Sequence, residues 1–375
     1  MVKTKVREGS AEIYIFPGEI KKSDKVFYNP QMRVNRDISS LAVQVFTEET
    51  GRDVMVLDVM ASSGIRGIRY AIECSKVREV VFNDLNPDSI EILKENVDLN
   101  HLQKRVKIKI YNEDAGALMH IYRFEGDVVD LDPFGSPAYY LEALGRCVSN
   151  KGLAMVTFTD TAVLSGTYPR TALRRYGVWH DKKYTPKGEI ALRVALKSIA
   201  ESFAKFDKGI IPLVSISHKH YVRVIVKIDK HKSSAEDNIK KLKFLHFNEK
   251  QEKFYSYNRH EEKYRSVGLI WAENLGESKF IEKMIEKAKQ HSRIYSQETI
   301  KILERLKEEY SIKDGFYYDL PSIGKAYKIP LPSIKRIKEK IESKGYAIAK
   351  SHIKGNAIVT NIPHSELVEV LKSIL

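Results

Sequence analysis

An open, mostly parallel α/β sheet followed by a smaller basic α+β unit is the fold class that this sequence predicts, and three observations carry it. Five short apolar or β-branched runs recur between residues 54 and 160, most of them followed by a helical stretch; that alternation is the signature of strands joined by helical crossovers. The run GIIPLVSISHKHYVRVIVKID then reads as two strands in direct succession, an antiparallel hairpin on the sheet edge. From about residue 229 the text changes to Lys/Glu-rich helices and closes on a different pattern.

The elements follow in order. DISSLAVQVFTEE puts Ile38, Leu41, Ala42, Val45 and Phe46 on one helical face, with Asp37 as its expected N-cap. The strands are VMVLDVM (54–60), EVVFND (79–84), VKIKIYNED (106–114), DVVDLD (127–132) and LAMVTFTD (153–160), with NPDSIEILKENVDLN as a helix after the second. In the C-terminal part, SAEDNIKKLKF and SKFIEKMIEKAKQ read as helices. QETIKILERLKEEY, LPSIGKAYKI and LPSIKRIKEKIESKG read as three more, and YAIAKSHIKGNAIVTN as two short strands about a Gly-Asn turn. Three helices and a hairpin resemble a winged-helix module, an arrangement used for nucleic acids and for protein contacts alike. Two domains are expected, 1–228 and 229–375.

A hydrophobic fraction of 43% with 10% aromatics is that of a globular protein. No apolar run approaches the roughly 18 residues of a membrane span, so no membrane partner is expected. MVKTKVREGS lacks the apolar core of a signal peptide, and two cysteines, Cys74 and Cys147, cannot build a disulfide framework or a four-cysteine metal site. A cytoplasmic protein is expected. The net charge of +14 and the pI near 9.4 favour a polyanionic partner. Residues 229–375 hold 29 Lys and Arg against 21 Asp and Glu, and are the more basic part per residue.

Ligands of open parallel sheets bind beyond the carboxyl ends of the strands, so the polar residues there are the ones to read. The first strand ends at Asp58, followed by ASSGIRG, whose Gly64 and Gly67 allow a tight turn and a close backbone approach. This is not a G-x-G-x-x-G fingerprint. The second ends at Asp84, where an acid can take both hydroxyls of a ribose; the third leads to Asp114, placed to accept from an adenine amine. The fourth runs into DLDPFG and Asp132. One strand-end aspartate is more often a turn or helix cap. Four in register form a row of carboxylates that repel each other unless donors bind them, which suits a ligand rich in hydroxyls and amines and rejects a pyrophosphate. S-adenosylmethionine has that chemistry.

On the motifs DPFGSP and VFYNPQMRVNRDISS, supported by TDTAVLSGTYP, RRYG and SHKHYVRV, the chain resembles the tRNA (guanine-N2-)-dimethyltransferases, archaeal type, over essentially its whole length. The resemblance implies a class I (Rossmann-like) S-adenosylmethionine methyltransferase sheet with a C-terminal tRNA-binding domain, the N-terminal segment 1–37 contributing to the site. It implies methylation, once or twice, of the exocyclic amine of guanosine at position 26 of tRNA. Asp132 and the Pro133 carbonyl would accept the two amine hydrogens, Asp132 also serving as general base, while Phe134 and Phe27 stack on the base. Arg36 and Arg66 would hold the methionine carboxylate, Asp84 the ribose, and Asp114 with Ala115 the adenine. Asp58 would touch the cofactor or brace the glycine turn. Many relatives carry a cysteine zinc cluster in the C-terminal half; the matching stretch has only His246 and His260, so no metal is expected, with packing in its place.

For RNA the candidates are Lys182, Lys183 and Lys187, and a terminal helix face of Arg336, Lys340 and Lys344 with Tyr327 and Tyr346 nearby; a solvated face is the commoner meaning of such charge. A monomer is expected. Two other readings stay open: an amino-methyltransferase for another planar substrate, such as adenine in DNA or a protein glutamine, and a catalytically silent RNA-binding protein.

Overall fold

The computed structural model describes residues 3–16, 28–181, 184 and 186–374. Seven strands form its main sheet: β1 (Val54–Asp58), β2 (Val77–Asn83), β3 (Lys107–Tyr111), β4 (Gly126–Leu131), β5 (Val148–Phe158), β6 (Gly209–His218) and β7 (Tyr221–Asp229). Their order is β3-β2-β1-β4-β5-β7-β6. The first five are parallel; β7 runs antiparallel between β5 and β6, so the hairpin expected from Gly209 to Asp229 is the sheet edge. All five residues of β1 are buried, as the unbroken VMVLD run requires of a strand covered on both faces.

Helix α1 (Arg33–Thr50) starts four residues before the expected cap. Asp37 is interior and fully buried, and its carboxylate meets Arg69 Nη1 at 2.8 Å and accepts from Ser296 N and Thr299 Oγ1. A polar residue inside a helix is tolerated where partners from other elements reach it. α2 (Ile65–Glu73) opens at Gly64, which stands in the left-handed region (φ +80°). A Cβ on Gly67 would meet the Phe82 ring at 2.3 Å, so the close approach there is to a core side chain. An N-terminal hairpin, Thr4–Glu8 with Ala11–Ile15, packs near α2 and carries Glu8 inward.

The C-terminal half contains a sheet absent from the sequence reading. Leu242–Phe247, Lys253–Ser256 and Arg265–Trp271 pair antiparallel, and Trp179–His180 joins them from the first half. Packing therefore crosses residue 228. His246 is fully buried in this sheet, hydrogen-bonded to Ser256 and Ser266 and stacked on Phe254, whereas His260 is exposed. The last unit has the helix–strand–helix–helix–hairpin order of a winged helix: Gln297–Tyr310, Phe316–Asp319, Leu320–Tyr327, Ile334–Ser343, then Ile348–Lys350 with Ala357–Thr360. Its residues from Tyr318 to Ile374 form a second hydrophobic cluster of their own.

Candidate active site

The four aspartates do lie at or just beyond the carboxyl ends of β1 to β4, but each already has a protein donor. Asp58 Oδ2 accepts from Gly67 N (3.0 Å), bracing the turn into α2. Asp84 accepts from Ser62 N (2.8 Å) and Asn86 N (2.9 Å). Asp114 caps the helix Ala115–Ile121 by accepting from Ala117 N (3.1 Å), with Ala115 buried at its first position. Asp132 Oδ2 takes both Nε (2.8 Å) and Nη2 (2.5 Å) of Arg66. Only Asp58 is fully buried, and Asp114 is exposed, so the row is neither uniformly buried nor dependent on a ligand for its donors.

Burial, followed by the negative charge of Asp130, pushes the Asp58 carboxyl up to about 7. Burial also raises Asp84 despite its two backbone donors. Asp130, one residue inside the strand end and not singled out by the sequence reading, behaves oppositely. Burial alone would raise it, but Arg223 and Arg66 outweigh that and hold it below the usual carboxylate range. Arg223 donates to Asp130 Oδ1 (2.8 Å), to Thr157 and to Ser39, while Tyr70 donates to Asp130 Oδ2 (2.5 Å). Arg66 Nη1 donates to Asn35 Oδ1 (2.9 Å) and lies 3.6 Å from Asp130. The Asp132–Arg66 pair thus stands on a closed buried network, which confines the carboxylate in space.

The expectation that Arg36 and Arg66 offer open forks to a carboxylate meets a different arrangement. Arg66 is engaged by Asp132, and Arg36 by Glu8, through Nε (2.7 Å) and Nη2 (2.5 Å). A guanidinium this buried needs an anion, and the hairpin and the DPF loop supply one each. Glu8, whose burial would raise it, is instead pulled down to about 2, chiefly by its bonds to Arg36 and the charge of Arg69. Glu8, Asn35, Ser39, Asn83 and Asp130 were all missed. The available signal was in VNRDISS: polar residues on every side of α1 mean a helix packed all round, each polar group with its own partner. Asn83 lies between two loops, donating to Val59 O and Glu113 O.

The DPFGSP segment leaves β4 and turns at Gly135 (φ +85°). Gly135 N donates to Thr159 Oγ1 (2.6 Å) and Gly135 O accepts from Thr159 N (2.9 Å). Ser136 Oγ and the Tyr176 hydroxyl are 2.6 Å apart; Tyr176 donates to Asp160, which also pairs with Arg175 (2.7 Å). The TDT and RRYG motifs therefore clamp the loop after Asp132. Pro133 is buried and Phe134 is 52% exposed. Among the described residues, neither Asp132 Oδ1 nor the Pro133 carbonyl has an assigned donor, which leaves two acceptors beside an aromatic ring. The buried Tyr221 hydroxyl also lacks a partner among the described residues, in the field of Arg66 and Arg36.

Phe27, Lys182 and Lys183 lie outside the described residues. Lys187 is exposed at the start of Lys187–Ala204. Arg336, Lys340 and Lys344 are exposed; Arg336 donates to Ile374 O, and Lys344 lies 3.7 Å from Glu366. Tyr346 donates to Glu366 as well, and Tyr327 pairs with His364. Among the described residues, no group of three or more His, Cys, Asp or Glu is placed to hold a metal ion.

The family model of N2,N2-dimethylguanosine tRNA methyltransferases matches residues 3–372. A tRNA (guanine(26)-N(2))-dimethyltransferase of Methanobrevibacter smithii is 31% identical over 384 residues, covering 98% of this chain and 97% of the relative. A tRNA (guanine(26)-N(2)/guanine(27)-N(2))-dimethyltransferase of Aquifex aeolicus is 30% identical over 382 residues, covering 98% and 96%. The solved structure of Trm1 from Pyrococcus horikoshii in complex with S-adenosyl-L-methionine superposes with a TM-score of 0.87 at 29% identity, covering 98% of this chain and 99% of that one. With matches that run nearly end to end, the chain belongs to the N2,N2-dimethylguanosine tRNA methyltransferase family.

Proposed function

We propose that this protein transfers one or two methyl groups from S-adenosylmethionine to the exocyclic N2 amine of guanosine 26 in tRNA, giving N2-methyl- and N2,N2-dimethylguanosine. The observation that carries the reading is the D-P-F loop, whose consecutive residues Asp132 and Pro133 each keep an acceptor without an assigned donor among the described residues, within a family match that spans the chain.

The residues present fit the cofactor. Each Asp84 oxygen takes one backbone N–H and retains acceptor capacity for a ribose hydroxyl. Asp114 has Oδ2 for an adenine amine, beside the free first-turn amide of Ala115. The buried Tyr221 hydroxyl, without a partner among the described residues, is the group left for the methionine end, in the positive field of Arg66 and Arg36, and Asp58 holds the turn between these parts. S-adenosylmethionine, when bound, supplies an electrophilic methyl on its sulfonium.

An aromatic amine is a poor nucleophile because its lone pair is delocalised into the ring. Asp132 Oδ1 and the Pro133 carbonyl accept its two hydrogens, which draws the nitrogen towards tetrahedral geometry and directs its lone pair outward. Arg66 holds Asp132 Oδ2 throughout, so the carboxylate stays oriented while Oδ1 takes the amine proton. Phe134 gives a face for stacking, with Phe27 as the opposing wall; stacking is worth about 1–3 kcal/mol and offsets the cost of extracting the base from its helix.

The division at residue 228 gives the C-terminal part, 229–375, the role of tRNA binding, through Arg336, Lys340 and Lys344, with Lys182 and Lys183 as further RNA contacts of the first part. The protein is proposed to act as a monomer. The cytoplasm is the matching compartment for a tRNA substrate and for two buried free thiols, Cys74 and Cys147. The test offers labelled cofactor and two tRNA transcripts that differ only in guanosine or adenosine at position 26, followed by nucleoside mass analysis. Label as N2-methylated guanosine in the first alone is expected; equal label in both sinks the assignment.

A further inference from the structure

The loop clamp continues into a surface that no motif reading singled out. The helix Pro169–Tyr176 turns Ala172 and Tyr176 inward, where Tyr176 holds Ser136, and leaves Arg170, Leu173 and Arg174 exposed. Around it stand Tyr168 (59% exposed) and Tyr139 (76% exposed), the latter under the Arg175 guanidinium at 5.9 Å, and Phe134 at the mouth of the site. Single exposed apolar residues are ordinary; several large ones together beside a catalytic loop mark an interaction surface.

The charge on this surface selects the partner. Residues 161–177 contain three arginines and no acid. Arg175 is neutralised by Asp160 at 2.7 Å, while Arg170 and Arg174 have no carboxylate assigned to them among the described residues. Unpaired guanidinium groups interleaved with exposed tyrosine rings suit a single-stranded or distorted nucleic acid, whose phosphates take the cations and whose unstacked bases take the rings. An acidic protein would use the arginines but not the flat rings in this interleaved order.

From this we propose that Tyr139, Tyr168, Arg170 and Arg174 form a nucleotide-binding rim, which grips the RNA flanking the extracted guanosine and is positioned by the same Tyr176–Ser136 contact that fixes the DPF loop. The proposal rests on the methyl-transfer reading for the identity of the base in the site. It does not depend on the C-terminal helix face, which would bind RNA elsewhere.

The experiment uses the full chain, a tRNA transcript and three variants: Arg170→Ala/Arg174→Ala, Tyr139→Ala, and Lys94→Ala/Lys104→Ala as an equal loss of exposed charge outside the C-terminal part. The arginine pair is expected to raise KM for tRNA about tenfold and to make the salt dependence of tRNA binding shallower by about 1–2 in slope, with cofactor affinity by calorimetry unchanged. Tyr139→Ala is expected to lower kcat/KM about tenfold, and Tyr139→Phe to restore it, because the ring and not the hydroxyl stacks. A salt slope and KM in the arginine pair that match the lysine control overturn the rim, as does a loss of the same size in both pairs. If the wild-type chain binds tRNA with the expected salt difference yet transfers no methyl group, the methyl-transfer reading fails and the rim stands.

Discussion

The carboxyl edge of the sheet and the C-terminal winged-helix unit are both rich in charge, and they use it in opposite ways. At the sheet edge, Asp130, Arg66, Arg223 and Arg69 are buried and each meets two or more partners. On the Ile334–Ser343 face, Lys338–Glu342 at 3.8 Å and Lys344–Glu366 at 3.7 Å are half-exposed pairs at the limit of contact. A buried ion whose partner is removed is left uncompensated in a poor solvent, while an exposed one simply returns to water. Charge therefore specifies geometry in the first region and long-range attraction in the second.

Four measurements test that contrast. The largest belongs to Asp132→Ala, which should lower methyl transfer by about 10² to 10⁴ with cofactor and tRNA binding retained. Full activity, measured in single turnover, would remove Asp132 from the mechanism. Next is Arg223→Met, which strips Asp130 of its shortest ion pair and should cost about 3–5 kcal/mol in urea unfolding. A loss below about 1 kcal/mol would mean that Tyr70 and Arg66 suffice.

The third outcome is a pH dependence. The Asp58 carboxyl is raised to about 7 in the folded chain, so between the ordinary carboxylate value and 7 the native state holds a proton that the unfolded state has released. Stability from this group falls as pH rises across that window. The stability of wild type relative to Asp58→Asn should accordingly be higher at pH 5 than at pH 8, by on the order of 2–4 kcal/mol. Glu8 has the opposite sign: held near 2, it contributes above the ordinary carboxylate value and is lost as pH falls towards 2, outside that window. Equal differences at pH 5 and pH 8 would place Asp58 in a solvated environment. The smallest effect is expected from Lys340→Ala/Lys344→Ala: stability within about 0.5 kcal/mol of wild type, and tRNA affinity down a few-fold with a shallower salt slope. An unchanged slope would take that face out of the RNA interface.

Much of this was legible in the residues. The strand–helix alternation, the edge hairpin and the closing winged helix follow local patterning, because each needs only neighbours within about a dozen residues to declare itself. The four-stranded sheet around Arg265–Trp271 was not legible, since its fourth strand is two residues, Trp179 and His180, far away in sequence. Asp37 was misread as a cap for a similar reason. Its closest partners, Arg69, Ser296 and Thr299, come from other elements, while its own helix adds only Arg33 at 3.8 Å.

The residues alone announce DPFGSP after an apolar strand, aspartates at successive strand ends, and a basic C-terminal part. Those are statements about periodicity and residue type, which survive without knowing what touches what. Which acid is paired with which base depends on contacts between elements distant in sequence. Asp130 and Asp132 are two residues apart in the same strand end, yet one is sealed under Arg223 and Tyr70 and the other, beside Arg66, keeps an oxygen with no assigned donor among the described residues. That difference arises from side chains carried in by β7 and α2. A carboxylate becomes a structural ion or a reacting group according to how many donors the fold brings to it.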